Sequence, residues 1–139
     1  MSAPVVPEKN PPTITEENRP FWDGAAEGKL MMQRCTDCSH VRYPIQPLCP
    51  QCLSESLTWT ELSGRGAVFA RVVYHQAFNK AWSGDVPYNM VVVQLDEGPR
   101  MFGNVVDAAN DDVLVGDRLV VTYEVGPGGV TVPRFRKDT

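Results

Sequence analysis

The amino-acid sequence predicts a mainly β protein with one N-terminal helix, a short cysteine-clasped ribbon and a C-terminal five-stranded barrel. Three observations carry this. All four cysteines fall in two Cys-x-x-Cys pairs, Cys35/Cys38 and Cys49/Cys52, with ten residues between the pairs. Beyond the second pair, five runs rich in Val, Thr and aromatic residues follow one another within about seventy residues, each bounded by turn residues. Helical periodicity is confined to one segment ahead of the first pair.

Taken in order, residues 1–12 contain Pro4, Pro7, Pro11 and Pro12 among few apolar side chains, the composition of a flexible arm. Residues 13–34 read as a helix and a strand. Thr13 with Glu16 fits a capping box, and Phe21, Trp22, Ala25 and Ala26 share one helical face. Pro20 suits a first turn and Gly28 a stop, while Gly24 weakens the helix between them. Residues 30–34 form a short strand leading into Cys35. The ribbon takes residues 35–57.

The barrel domain takes residues 58–139. Its expected strands are 58–62, 67–74, 88–95, 100–106 and 118–125, with 130–135 as a last short extended piece. Turn clusters at 63–66, 96–99, 115–117 and 126–129 separate them. Five short strands in this length suit an OB-type barrel, with a small sandwich as the alternative that pattern alone leaves open.

The chain has 139 residues, 42% of them hydrophobic, and a formal net charge of -4. That supports a modest core and argues against phosphate-backbone binding, which needs clustered Lys and Arg. No run of about eighteen apolar residues marks a membrane span, and the N-terminus lacks the charged start and apolar run of a secretory signal. The expected location is the cytoplasm, where paired cysteines favour metal over disulfides.

Two thiolates spaced by two residues can bind one ion from a single tight turn, and two such turns close a tetrahedral shell. A shell of four thiolates has no vacancy for a catalytic water, so the implied zinc is structural. Iron in a rubredoxin-like site uses the same ligands and remains an alternative. His40 could substitute, but with four cysteines available it is expected to be exposed.

Catalytic patterns are sparse. His75 stands where the strand 67–74 gives way to a long loop; it is either a general base or ligand contact, or a partly exposed loop histidine. The sequence has no Gly-x-Ser-x-Gly elbow, no phosphate-binding loop and no spare cysteine. Asp111-Asp112 reads as solvated charge. Trp59 is assigned to the core. Phe21 and Trp22 are either core or partner contacts. Phe78, Trp82 and Tyr88, in or beside the loop 76–87, mark an interface or ligand site. Arg134 and Arg136, with Lys137, form a small basic tail that could meet a phosphate or a partner.

The order of motifs resembles a known family. Pro20-Phe21-Trp22, Gly28-Lys29-Leu30, Gln33-Arg34-Cys35-x-x-Cys38, Tyr43-Pro44, Cys49-Pro50-x-Cys52, Trp59, Gly64-x-Gly66, Pro87-Tyr88, Leu95-Asp96-Glu97-Gly98 and Gly116-Asp117 follow one another as in the small zinc-ribbon plus OB-fold proteins long catalogued as a domain of unknown function. The resemblance spans roughly residues 13–136. It implies an N-terminal helix, a rubredoxin-like zinc ribbon and an OB-fold barrel. It also implies a non-catalytic role beside thiolase-superfamily enzymes: thiolases, acyltransferases and retro-aldolases of acyl-CoA, with links to steroid side-chain and aromatic acyl-CoA degradation. The small subunit then stabilises its partner and shapes an acyl-CoA channel. Partnership with an acyl-CoA hydratase is the alternative. A single-stranded nucleic-acid module is a further reading that the acidic balance disfavours. Ser39 and Leu53 stand where glycine is usual in the knuckles, and neither change removes a ligand.

Overall fold

The computed structural model describes residues 9–77 and 79–138. The expectation for Phe78 therefore lies outside the described residues, as do residues 1–8 of the arm. Lys9 and Pro11, within the described part, lie against the barrel: Lys9 pairs with Asp85 at 2.5 Å, and Pro11 sits over Gly128, where a Cβ would collide with it.

Helix α1 runs from Arg19 to Ala26 and buries Phe21, Gly24 and Ala25. Pro20 lies in its first turn, as expected. The capping box at Thr13 and Glu16 does not form. Instead Thr15 and Asn18 bond reciprocally, the Thr15 amide donating to Asn18 Oδ1 at 2.7 Å and the Asn18 amide to Thr15 Oγ1 at 3.3 Å. The proline ring fits only at a helix start, which places the entry at Asn18 and leaves Thr13 outside. Gly24 is explained by packing: a Cβ there would stand 2.4 Å from Met31 Cγ, so only glycine lets the helix lie this close to the following strand.

Strands β1 (Leu30–Cys35), β2 (Val41–Arg42) and β3 (Leu57–Leu62) form a three-stranded antiparallel sheet in the order β2-β1-β3. The barrel sheet comprises β4 (Arg65–Tyr74), β5 (Tyr88–Leu95), β6 (Arg100–Gly103), β7 (Arg118–Val125) and β8 (Thr131–Lys137), ordered β6-β5-β4-β7-β8. Strand β4 pairs with β5 along most of its length but with β7 only through Arg65–Ala67, so it bends from one neighbour to the other. The outer strands then meet. A parallel bridge joins Val105 to Phe135, the Val106 amide donates to the Phe135 carbonyl at 2.7 Å, and the Phe135 amide donates to the Asn104 carbonyl at 2.9 Å. The sheet curls on itself and hides its edges.

Strand membership differs from the sequence expectation in two places. The run 58–62 pairs residue by residue with β1, Leu30 opposite Leu62 and Cys35 opposite Leu57, and so belongs to the ribbon sheet. The run expected as a short extended piece, 130–135, is the full strand β8 and supplies the fifth barrel strand. Apolar patterning marks strands but not their partners. Here Gly64, at φ +76°, turns the chain sharply out of one sheet and into the other.

The two sheets share one core. Phe21, Leu30, Met32, Val41 and Leu62 from the helix and ribbon join Val68, Val91, Val93, Met101, Leu119 and Phe135 of the barrel in a continuous buried cluster. Trp59 is half-buried against this cluster, consistent with its assignment to the core. Among the described residues, no helix is long and apolar enough to cross a membrane.

Candidate metal centre and adjoining clefts

The four cysteines come together at one end of the ribbon sheet. Their sulfurs all lie within 4.8 Å of one another, with Cys35 Sγ to Cys52 Sγ and Cys38 Sγ to Cys49 Sγ each 3.5 Å apart. Four sulfurs about 2.3 Å from a shared ion form a tetrahedron with edges of roughly 3.8 Å, so the donor set fits such an ion closely. No disulfide joins them, and Cys35 and Cys49 are buried while Cys38 and Cys52 face outward.

The knuckle backbone explains how a short loop achieves this. The Ser39 amide donates to the Cys35 carbonyl at 2.9 Å, and the Leu53 amide to the Cys49 carbonyl at 2.8 Å. Both closing residues are left-handed, Ser39 at φ 68° and Leu53 at φ 63°. These are the positions where glycine is usual, and the geometry shows why; the chain accepts the strain of an L side chain there. The two loops are tied together where Ser54 Oγ bonds the Asp37 carboxylate.

Crowding splits the thiols. The Cys38 backbone N–H leads the groups that pull Cys35 down to about 6. At Cys52 the Ser54 backbone favours the thiolate, but the hydrogen bond with Cys35 and burial outweigh it and push the thiol up to about 12. Four thiolates this close cannot all hold their charge without a cation, and a divalent ion replaces the retained protons. His40 is half-buried with its carbonyl receiving the Cys35 amide at 2.9 Å, a backbone role beside the cluster.

The remaining site candidates are scattered. His75 is exposed at the end of β4. Phe21 is only 6% exposed and belongs to the core; its ring stands edge-on to Trp22 at 5.0 Å. Trp82, in a short 3-10 turn (Lys80–Trp82), does not project freely: it packs 6.1 Å from Tyr88, and the Lys9 ammonium caps its ring at 4.6 Å. Tyr88 in turn stacks on Tyr74 at 5.2 Å. Arg134 donates from Nε to Glu124 Oε1 at 2.8 Å, and Arg136 is exposed on the same strand.

Two features escape a residue-by-residue reading of the sequence. The first is an apolar cleft of about 480 Å³ where the helix, ribbon and barrel meet, walled by Phe21, Trp22, Tyr43, Met90, Met101 and Phe102, with Asn104 and Arg134 also lining it. The second is an apolar outer face on β4, β5 and β6. Cross-strand pairs Val72/Met90, Ala70/Val92 and Val92/Phe102 lie on the side opposite the buried Val91 and Val93. Phe69, Val72 and Phe102 are 49%, 51% and 61% exposed. A register shift between Val68 and Ala70 turns Phe69 outward as well, where Arg100 lies 3.8 Å over its ring. The available signal was the unbroken apolar run 90–93, which lacks the polar alternation of a one-sided strand.

Comparison with known proteins bears on this architecture. Residues 22–58 match the model of the ChsH2 rubredoxin-like zinc ribbon domain, and residues 59–124 that of the ChsH2 C-terminal OB-fold domain. A DUF35 domain-containing scaffold protein of Methanocaldococcus jannaschii is 32% identical over 73% of this chain and 74% of its own length. The chain belongs to the DUF35 family.

Other similar proteins extend the comparison. A chain of a solved structure described as Ltp2-ChsH2(DUF35) aldolase superposes with a TM-score of 0.80 at 31% identity, covering 91% of this chain and 98% of that one. A 3-oxo-4,17-pregnadiene-20-carboxyl-CoA hydratase alpha subunit of Mycobacterium tuberculosis is 35% identical over 81% of this chain, and a probable enoyl-CoA hydratase alpha subunit of Thermomonospora curvata 32% identical over 90%. The chain spans only 39% and 35% of the length of the Thermomonospora and Mycobacterium subunits, respectively. A DUF35 protein of unknown function from Sulfolobus solfataricus, 12% identical with a TM-score of 0.60, shares the fold.

Proposed function

We propose that this chain is a non-catalytic accessory subunit of a thiolase-like enzyme acting on acyl-CoA, with retro-aldol cleavage as the favoured partner chemistry. The observation that carries the reading is the likeness to the DUF35 chain of the Ltp2-ChsH2(DUF35) aldolase over nearly the whole of both chains. The outer face of β4, β5 and β6 supports it. Exposed Phe69, Val72 and Phe102, flanked by Tyr88, Trp82 and Arg100, have the aromatic-and-Arg composition of an interface centre. In this reading the zinc ribbon is a structural clasp that holds helix and barrel together. The apolar cleft beneath Trp22 and Phe102 then borders the acyl chain; its volume lies in the range of small-ligand sites. Arg134 lines this cleft and is assigned to a polar contact there, while Arg136 and His75, which lie outside it, are assigned to contacts with the partner. A hydratase partner is the second reading, favoured by the names of the two alpha-subunit relatives.

The test is co-purification of the chain with thiolase-like and hydratase-like subunits encoded beside it, followed by cleavage and hydration assays. The expected outcome is a stable complex with the thiolase-like subunit and activity that neither protein has alone. Phe102→Ser should weaken that complex by about 2 kcal/mol or more, as truncation of a central aromatic commonly does, and Trp82→Ala, at the flank of the face, should weaken it less. Metal content should stay at wild-type level. A complex with the hydratase-like subunit alone selects the second reading, and no complex with either removes both.

A further inference from the structure

Among the described residues, the set of buried polar side chains contains one formal charge: Arg42, 1% exposed, on β2. Its Nε donates to Gln33 Oε1 and to the Gln46 carbonyl, both at 3.1 Å, and Gln33 Oε1 also accepts the Gln46 amide at 3.0 Å. These bonds fix the side chain between β1 and the loop after β2, but every acceptor is neutral. Nη1 and Nη2 find no partner among the described residues. A guanidinium carries five N–H donors, so four are left over at a site where water is largely excluded. Burying a cation without an anion or a full set of hydrogen bonds costs several kcal/mol, which makes an unbalanced buried arginine in a small domain a strong anomaly.

Its surroundings point to what balances it. Arg42 lines a cleft of about 510 Å³ between the zinc knuckles and the β5–β6 turn. His40 and Gln51 come from the ribbon side, and Gln94 and Arg100 from the barrel side. The wall thus holds two guanidinium groups, an imidazole and two carboxamides, and no carboxylate. That is a local excess of positive charge on a chain whose formal net charge is -4. Arg100 is braced as a binding residue needs to be: Nε donates to Gln94 Oε1 at 2.8 Å, and the Phe69 ring supports its guanidinium from below. Gln94 is itself anchored through Nε2 to the Gly98 carbonyl at 2.8 Å.

We propose that this cleft is an oxyanion site for a terminal phosphate dianion, with Arg42 as its buried base and Arg100 as its outer arm. Such a group presents three terminal oxygens and close to two negative charges, enough to engage two forked guanidinium donors at once, which a single carboxylate does not offer. Two sources carry that group: free inorganic phosphate, and the 3′-phosphate of a CoA ester. Only the second rests on the function proposed above.

The test uses the full zinc-loaded chain in isothermal titration and thermal unfolding, with inorganic phosphate, CoA and dephospho-CoA, at ionic strength held constant with chloride. The expected result is saturable phosphate binding that raises the unfolding midpoint. Arg100→Gln, an exposed substitution that leaves the core untouched, should weaken it at least tenfold. Arg42→Met should abolish it, while in phosphate-free buffer that variant melts no lower than wild type because an unpaired buried charge has been removed. Zinc content should be unchanged in both. CoA binding more tightly than phosphate, with loss of that gain in dephospho-CoA, assigns the site to CoA; equal affinity for CoA and phosphate assigns it to the free anion. The proposal is overturned if phosphate does nothing beyond matched chloride, or if Arg100→Gln binds it as wild type does. Because the phosphate arm needs no partner enzyme, failure of the accessory-subunit reading would leave it standing.

Discussion

The ribbon and the barrel are both small antiparallel sheets, and they are closed in different ways. The barrel closes through its backbone, where the amides of Val106 and Phe135 staple the two outer strands, and it buries Val91, Val93, Leu119 and Phe135 at 0% exposure. The ribbon has one strand of only two residues, Val41–Arg42, and holds its loops with four sulfurs within 4.8 Å of one another. It also carries two left-handed non-glycine residues, Ser39 and Leu53, where the barrel domain has Asp107 alone among the described residues, and it holds an uncompensated buried arginine. Metal ligation supplies free energy that offsets backbone strain in a ribbon with little core of its own. The difference teaches where mutation should act locally and where it should spread, because the two sheets share one buried cluster.

The largest effect is expected at the metal. Cys49→Ser leaves three thiolates around the ion, and its sulfur is fully buried, so no outer ligand can replace it. Metal analysis should show less than stoichiometric zinc, and amide exchange should show β1–β3 opening while β5 and β8 keep part of their protection. If β5 and β8 lose protection together with the ribbon, the two regions are one cooperative unit and the comparison breaks.

Next comes Phe135→Ala, in the barrel staple. Deleting a fully buried phenyl ring should cost about 3–5 kcal/mol in denaturant unfolding. Zinc content of the folded fraction should remain at wild-type level. A variant that loses its metal in the folded state would show that the barrel, and not the thiolate cluster, organises the ribbon.

The smallest effect sharpens the barrel side. Asp96 and Arg118 form a two-pronged pair, 2.9 and 2.8 Å, joining the β5–β6 turn to the start of β7. The Arg118 hydrogen bond holds the Asp96 carboxyl below its usual range. A carboxyl depressed in the folded state adds stability above its unfolded pKa of about 3.9, and that stability is lost as pH falls through the lower folded value. Asp96→Asn should therefore lower the thermal midpoint slightly at neutral pH and not at all at the acid end of that window. A midpoint difference that persists once the pH has fallen through the folded value would mean that the aspartate acts through packing rather than charge.

Much of this protein is legible in its residues because the signals are local. The Cys-x-x-Cys spacing alone predicts the cluster, since a knuckle is a single turn whose geometry depends on its own few residues. Pro20 and Gly28 bracket the helix for the same reason, and Asp96-Glu97-Gly98 marks a hairpin that closes where expected, the Gly98 amide donating to the Leu95 carbonyl at 3.0 Å. Tertiary structure alone decided the long-range choices. Residues 57–62 joined the ribbon because their register partner, β1, lies some thirty residues upstream, and residues 131–137 became a barrel strand because β7 and the Val105 bridge receive them. Trp82 became a packed ring rather than a projecting one because Lys9 and Tyr88, distant in sequence, converge on it. Arg42 belongs to no sequence motif; only the packing of β1, β2 and the β5–β6 turn buries it and leaves its charge unanswered. Periodicity records which side of a strand is wet, but the identity of a neighbour is set by chain closure and shared burial, which no short window of sequence contains.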